Sequence, residues 1–294
     1  MKKNFVPPIA VLCAATLVLF PACAAVGDEG TSSSSDVSIS ESTGGISDVQ
    51  PPLSTENNSN GAGTDADQNE AGKDDPSTAP MKKTVKYVSV AVNSLNIRKA
   101  ASVSSASLGQ AEKNTRFAYV DTEGSFYKIY YRNSVAYVSA NETYTQIVES
   151  DYSVETVETV IEEGCKLLGT PYVYGAVRLH DGTGKMNSSF SVSKFDCSSL
   201  MQYIFYKGTN TILQVNTRTQ IYQGSYVAKK DLRRGDLIFF TNSSRYYNTG
   251  IERVGHVALY LGDNLILHTA SDFAKIEPIS SKRWSYYIET RRMI

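Results

Sequence analysis

The chain has 294 residues, 29 Lys and Arg against 30 Asp and Glu, three His and four Cys, for a formal net charge of −1. Cys13 and Cys23 lie at the N-terminus, so only Cys165 and Cys197 belong to folding sequence, too few for a disulfide framework. No cluster has metal-ligand spacing, and outside a strand-rich segment no basic stripe interleaves with stacking aromatics as a nucleic-acid surface would.

In "MKKNFVPPIAVLCAATLVLFPACAA" two lysines precede an apolar run and then small residues, the layout of a secretory signal over residues 1–25. The run is too short for a comfortable membrane span. Cleavage at the Ala-Cys-Ala site would release a secreted, soluble protein. The competing outcome is a lipid anchor through Cys23, for which "FPAC" is a poor match. Residues 26–82 are rich in Ser, Thr, Gly, Asn and Asp with almost no large apolar side chain, so this segment cannot offset its ordering entropy and reads as a disordered acidic linker. Residues 26–80 carry a net charge of −10, which leaves +9 on the rest of the chain. A basic body suits an anionic cell envelope through long-range attraction.

Over residues 83–148 the short runs "KYVSVAV", "LNIR", "TRFAYV", "FYKIYY" and "VAYVSA", separated by turn residues, predict a small β-barrel. From "LNIR" through "FYKIYY" and "VAYVSA" the segment resembles a bacterial SH3-like domain. Phe126 stands where such domains often carry Trp, and Ala136 where they often carry Gly. The resemblance implies a module that binds cell-wall peptide or flanks an enzyme's groove. Phe126, Tyr127, Tyr130 and Tyr137 read equally as barrel core or as a binding surface.

At "DYSVETVETVIEEGCKLLGT" the apolar period changes to that of a helix, with Cys165 on the apolar stripe and Gly169 as a stop. Cys165 then reads as an inert core residue, with a Cys165–Cys197 disulfide as the alternative. "FDCSSLMQYIFYKG" predicts a second helix with Asp196 as N-cap and Gly208 near its end. Cys197 falls in the first turn, where free N–H groups and the dipole favour a thiolate, lowering its pKa toward roughly 3.5–7.5.

The candidate base must come from His180, His256 and His268. "GHVALYLGDNLILHTA" predicts a hairpin with a three-residue loop at Gly262, Asp263 and Asn264, which pairs Leu261 with Leu265 and His268 with Ala258. Val257, Leu259, Leu261, Leu265 and Leu267 then face one side, while His256, Ala258, Tyr260, Ile266 and His268 face the other. The two imidazoles become diagonal neighbours about 7–8 Å apart at the backbone. A two-residue loop would split them. Nucleophile, base and orienting group form the set that thiol catalysis needs.

Here "LLGTPYVYGA", "FDCSSL", "LRRGDLIFF" and "GHVALYLGDNLILHTA", in that order, resemble the NlpC-type peptidases, papain-like cysteine hydrolases of bacterial cell walls. The resemblance implies an α+β, papain-like cysteine peptidase domain over residues 150–294 behind the all-β SH3-like barrel. It implies Cys197 as nucleophile, His256 as base and His268 as its orienter, with Tyr172 at the oxyanion and Asp196 and Ser198 binding substrate. The implied substrates are peptidoglycan stem peptides or muropeptides, cut at the γ-D-glutamyl–diamino acid bond by a secreted or envelope-bound monomer without cofactor or metal. Ser199 departs from the customary Gly, Arg234 from a customary Pro, and the long segment after Gly175 reads as a mobile flap carrying a solvated His180. Two rival readings are a wall-binding protein with a silent domain, and a cysteine amidase or acyltransferase working on another acyl group.

Overall fold

The computed structural model describes residues 82–294. The signal at 1–25, the lipid anchor at Cys23 and nearly all of the 26–82 linker lie outside the described residues.

Seven strands come first: β1 (Thr84–Val90), β2 (Leu95–Arg98), β3 (Ser107–Ala111), β4 (Arg116–Glu123), β5 (Phe126–Tyr131), β6 (Ser134–Ser139) and β7 (Thr145–Asp151). Alternation decides which side chains turn inward. In β6 Ala136 and Val138 are buried while Val135 is exposed, and Phe126 and Ile129 of β5 join them in the core. Neighbours pair antiparallel in the order β3-β2-β6-β5-β4-β1-β7. The expected closed barrel is open here: among the described residues no pair joins β3 to β7, and Arg116 of β4 pairs onward with Ile276 instead.

The second half holds α1 (Glu155–Lys166), α2 (Cys197–Thr209), the short α3 (Thr217–Gln220) and α4 (Ser281–Ser285). Its strands are β8 (Ser225–Val227), β9 (Leu237–Phe240), β10 (His256–Gly262), β11 (Leu265–Ala270), β12 (Phe273–Pro278) and β13 (Tyr287–Arg292). They form an antiparallel sheet ordered β12-β11-β10-β9-β13-β8, so the architecture is α+β. One apolar core runs from Tyr87 and Ile129 through Val157 and Ile161 of α1 and Leu200 and Ile204 of α2 to Leu259 and Leu267 of the hairpin. On the far side of the sheet Ile238, Phe240, Ala258, Ile266 and Ile279 make a second, smaller cluster.

Two local expectations change. The cap of α2 is Asn210, in the left-handed region at φ 56°, rather than Gly208. Gly208 serves contact instead: a Cβ there would lie 2.8 Å from the Cα of Val160, so its absence lets α1 and α2 approach. The hairpin turn is the two-residue Asp263–Asn264, both at positive φ, yet the pairs Leu259–Leu267 and Tyr260–Ile266 keep the expected register. A register shift between Tyr260 and Gly262, with Gly262 at φ 83°, absorbs the one-residue difference.

Arg234, which stands in place of a customary Pro, joins three elements. Its guanidinium grips Glu158 of α1 through two 2.7 Å bonds, donates to the Leu261 carbonyl at 2.6 Å and reaches the Tyr87 hydroxyl of β1 at 2.8 Å. One buried side chain therefore clasps the hairpin, a helix and the first strand. On the other flank the Arg132 side chain donates to the Gly169 carbonyl at 2.9 Å.

Candidate active site

The start of α2 carries Cys197. Asp196 caps the helix with its side chain, accepting from the Ser199 amide at 2.9 Å, while the Ser199 hydroxyl accepts from the Asp196 amide at 2.9 Å. This reciprocal capping box gives Ser199 a use that Gly could not supply. Behind the first turn, buried Gln220 donates to the Ser198 carbonyl at 3.0 Å and to the Gln214 carbonyl at 2.8 Å.

Cys165 and Cys197 are both free thiols, which removes the disulfide alternative. Cys165 is enclosed in the core, and burial pushes its thiol up to about 12. The Cys197 thiol is also pushed up, to about 11, against the expectation of a thiolate. Burial is the main cause and the Asp196 charge adds to it; the backbone N–H groups of Val257 and Ser198 and the Arg178 charge pull the other way without prevailing. At rest the sulfur is protonated.

His256 opens β10 and His268 lies on β11, on the face the register predicts. His256 Nε2 and His268 Nδ1 are 3.0 Å apart, and the rings meet edge to face. A partner absent from the sequence reading completes the chain: Glu277 of β12 lies 2.9 Å from His268 Nε2. Burial alone would raise the Glu277 carboxyl, but His268, Lys275 and Arg283 together hold it at about 2. As an anion, Glu277 can only accept, so His268 Nε2 carries the hydrogen and its Nδ1 holds a lone pair. His256 Nε2 must then donate to that lone pair. This leaves His256 Nδ1 unprotonated, because burial above all, with the Arg283 charge adding to it, keeps the ring's pKa well below the ordinary histidine value. The carboxylate thus fixes two successive tautomers and presents an unprotonated nitrogen.

Cys197 and His256 line one cleft of about 380 Å³, together with Tyr172, Thr241, Asn242 and Arg283. Tyr172 is anchored by a bridge to Phe195 and by its amide on the Asp272 carbonyl at 2.8 Å. Burial, reinforced by Cys197 and Asp196, raises its phenol to about 12, so the hydroxyl stays a donor. Asp196 and Ser198 are buried beside the nucleophile, bonded to each other at 3.1 Å.

His180 is not solvated: it is 1% exposed, edge-on to Tyr206, with Nδ1 accepting from the Gly182 amide at 3.2 Å. Its segment is pinned rather than free. Gln202 of α2 donates to the His180 carbonyl at 3.1 Å, and Phe190 stacks on Tyr203 at 5.5 Å. Among the described residues, no group of three or more His, Cys, Asp and Glu is disposed to hold a metal ion.

Among known proteins, the chain is 30% identical over 140 residues to the peptidoglycan endopeptidase RipA of Mycolicibacterium smegmatis, a match covering 47% of this chain and 26% of that one. It is 31% identical over 122 residues to the gamma-D-glutamyl-L-lysine dipeptidyl-peptidase of Bacillus subtilis, covering 42% of this chain and 35% of that one. The chain thus spans about a quarter to a third of these relatives. A solved NlpC/P60 family protein from Bacillus cereus aligns over 71% of this chain and 63% of its own, at 25% identity and a TM-score of 0.38. Residues 93–143 match the bacterial SH3 domain and residues 169–293 match the NlpC/P60 family, so a bacterial SH3 domain precedes an NlpC/P60 domain in this chain.

Proposed function

We propose that residues 150–294 act as a papain-like cysteine peptidase on peptidoglycan stem peptides, in an exported protein whose residues 83–148 form an SH3-like wall-facing module. The observation that carries this reading is the shared cleft of Cys197 and His256, with Nε2 of His256 engaged by His268 and Nδ1 left without a proton. The names of relatives, a peptidoglycan endopeptidase and a gamma-D-glutamyl-L-lysine dipeptidyl-peptidase, support the choice of the γ-D-glutamyl–diamino acid bond.

In the proposed reaction the thiol proton passes to His256 Nδ1 as the sulfur attacks the γ-carbonyl carbon. Because both groups rest neutral, this transfer accompanies substrate engagement rather than preceding it. The Tyr172 hydroxyl and backbone N–H groups receive the oxyanion. Collapse breaks the C–N bond, and the leaving amine takes the proton from His256. Water then adds to the thioester, giving its proton to the same nitrogen; the peptide acid departs and the sulfur regains its hydrogen. Asp196 and Ser198 flank the nucleophile on either side in the chain. Digestion of purified peptidoglycan by the wild type and by Cys197→Ala tests the reading. Fragments with a new amine on the diamino acid are expected from the wild type alone, and identical fragments from both would reject it.

A further inference from the structure

An ionised carboxylate offers about four acceptor positions, and those of Asp196 are all taken within the chain. Oδ1 accepts from the Ser199 amide at 2.9 Å and the Ser198 hydroxyl at 3.1 Å. Oδ2 accepts from the Gly175 amide at 3.1 Å and pairs with Arg178 Nη1 at 2.8 Å. The Asp196 side chain is 6% exposed and that of Arg178 21%.

Arg178 is held in turn. Its Nε donates to the Val215 carbonyl at 2.6 Å, Nη1 also donates to the Ala176 carbonyl, and Nη2 donates to the Ser198 hydroxyl at 3.2 Å. Guanidinium, hydroxyl and carboxylate therefore close a ring, Arg178 to Ser198 to Asp196 and back. Five guanidinium hydrogens are available, and these contacts leave one on Nη2 unspent. The ring lies beside the nucleophile, because Asp196, the N-cap of α2, and Ser198 flank Cys197 directly in the chain. Arg178 lines a second cavity of about 680 Å³ with Gly175, His180 and Lys185.

A substrate ammonium arriving beside Cys197 would meet a fixed positive charge and a carboxylate with no free acceptor. Displacing the guanidinium would break a largely buried ion pair, a heavy cost for one new contact. An uncharged amide pays neither penalty, and its carbonyl can take the spare Nη2 hydrogen.

We propose that Arg178 is a specificity-determining residue: by occupying Asp196 and Ser198 it closes the subsite beside Cys197 to free ammonium groups and selects peptides that are neutral there, such as stems still amide-linked at their amino end. The identity of the peptide rests on the function proposed above; the selection by charge does not.

The test compares two thiol reagents of one chemistry on the full chain: neutral methyl methanethiosulfonate and its cationic trimethylammonium-ethyl analogue, with modification of Cys197 read by peptide mapping. The wild type is expected to react at least about tenfold more slowly with the cationic reagent, and Arg178→Met to narrow that gap by about tenfold, the scale of local electrostatic steering. Arg178→Lys, which keeps the charge, should retain most of the discrimination. A wild-type protein indifferent to reagent charge, or a ratio unmoved in Arg178→Met, overturns the proposal. In parallel, one stem tetrapeptide is supplied with a free and with an acetylated amino end. The wild type should favour the acetylated form; preference for the free amine overturns the proposal whether or not the variants fold. If the reagent ratio shifts but neither peptide is cut, the peptidase reading fails while charge selection stands. If both peptides are cut and no ratio depends on Arg178, the reverse holds.

Discussion

Glu277 Oε1 lies 2.9 Å from His268 Nε2, and through that single contact a carboxylate on β12 dictates which nitrogen of His256, one imidazole further on, is free to take a proton. Glu277→Gln keeps the shape but can present an amide hydrogen to His268 Nε2, reversing both tautomers. The expected result is a fall in kcat of about tenfold to a hundredfold, the range found for partners that orient functional histidines, with KM little changed. Glu277→Asp should recover part of the loss, which a purely structural contact would not require. Steady-state kinetics on a defined stem peptide check this.

The raised Cys197 thiol sets a pH dependence. A thiol at about 11 is mostly protonated at neutral pH, and its thiolate fraction grows about tenfold per pH unit below that value. Iodoacetamide labelling of Cys197 in the free protein should therefore climb steadily between about pH 6 and pH 9. A preformed thiolate–imidazolium pair would instead give a plateau across that window.

Arg234→Ala strands the Glu158 carboxylate, whose side chain is 12% exposed, and removes a donor from Tyr87 and Leu261. Loss of one partner from a buried pair costs about 3–5 kcal/mol. Urea unfolding should show a loss of that order. Arg234→Lys should recover little, since one ammonium cannot span Glu158, Tyr87 and the hairpin carbonyl.

Gly208→Ala sets helix propensity against packing. Propensity alone would stabilise α2 by about 1 kcal/mol. The added methyl would sit 2.8 Å from the Val160 backbone, which cannot rotate away; overpacking of this kind costs about 1–3 kcal/mol. Net destabilisation on thermal unfolding is the expected sign.

Much of the site is legible in local sequence because local rules govern it. Asp196 before an apolar helical run is a cap whatever lies nearby, and alternation along "GHVALYLGDNLILHTA" puts both imidazoles on one face. The bulge at Gly262 was hidden because a two-residue turn with a bulge and a three-residue loop give the same register. Glu277, Arg178 and Arg234 were not legible for another reason. Each acts across a contact between separate elements, and a lone Glu or Arg in a strand or loop carries no periodicity to announce its partner. The sign of the Cys197 shift was missed likewise: helix position argues for a thiolate, but burial beside Asp196 outweighs it and depends on the whole fold.

The central claim is that Cys197 carries the acyl group of a stem peptide between two half-reactions. Protein quenched in acid during turnover of a defined stem peptide, then digested and mapped by mass, should show that acyl mass on the peptide containing Cys197 and none on Cys165. Undiminished cleavage by Cys197→Ala, or an acyl group borne by any other residue, would contradict the account.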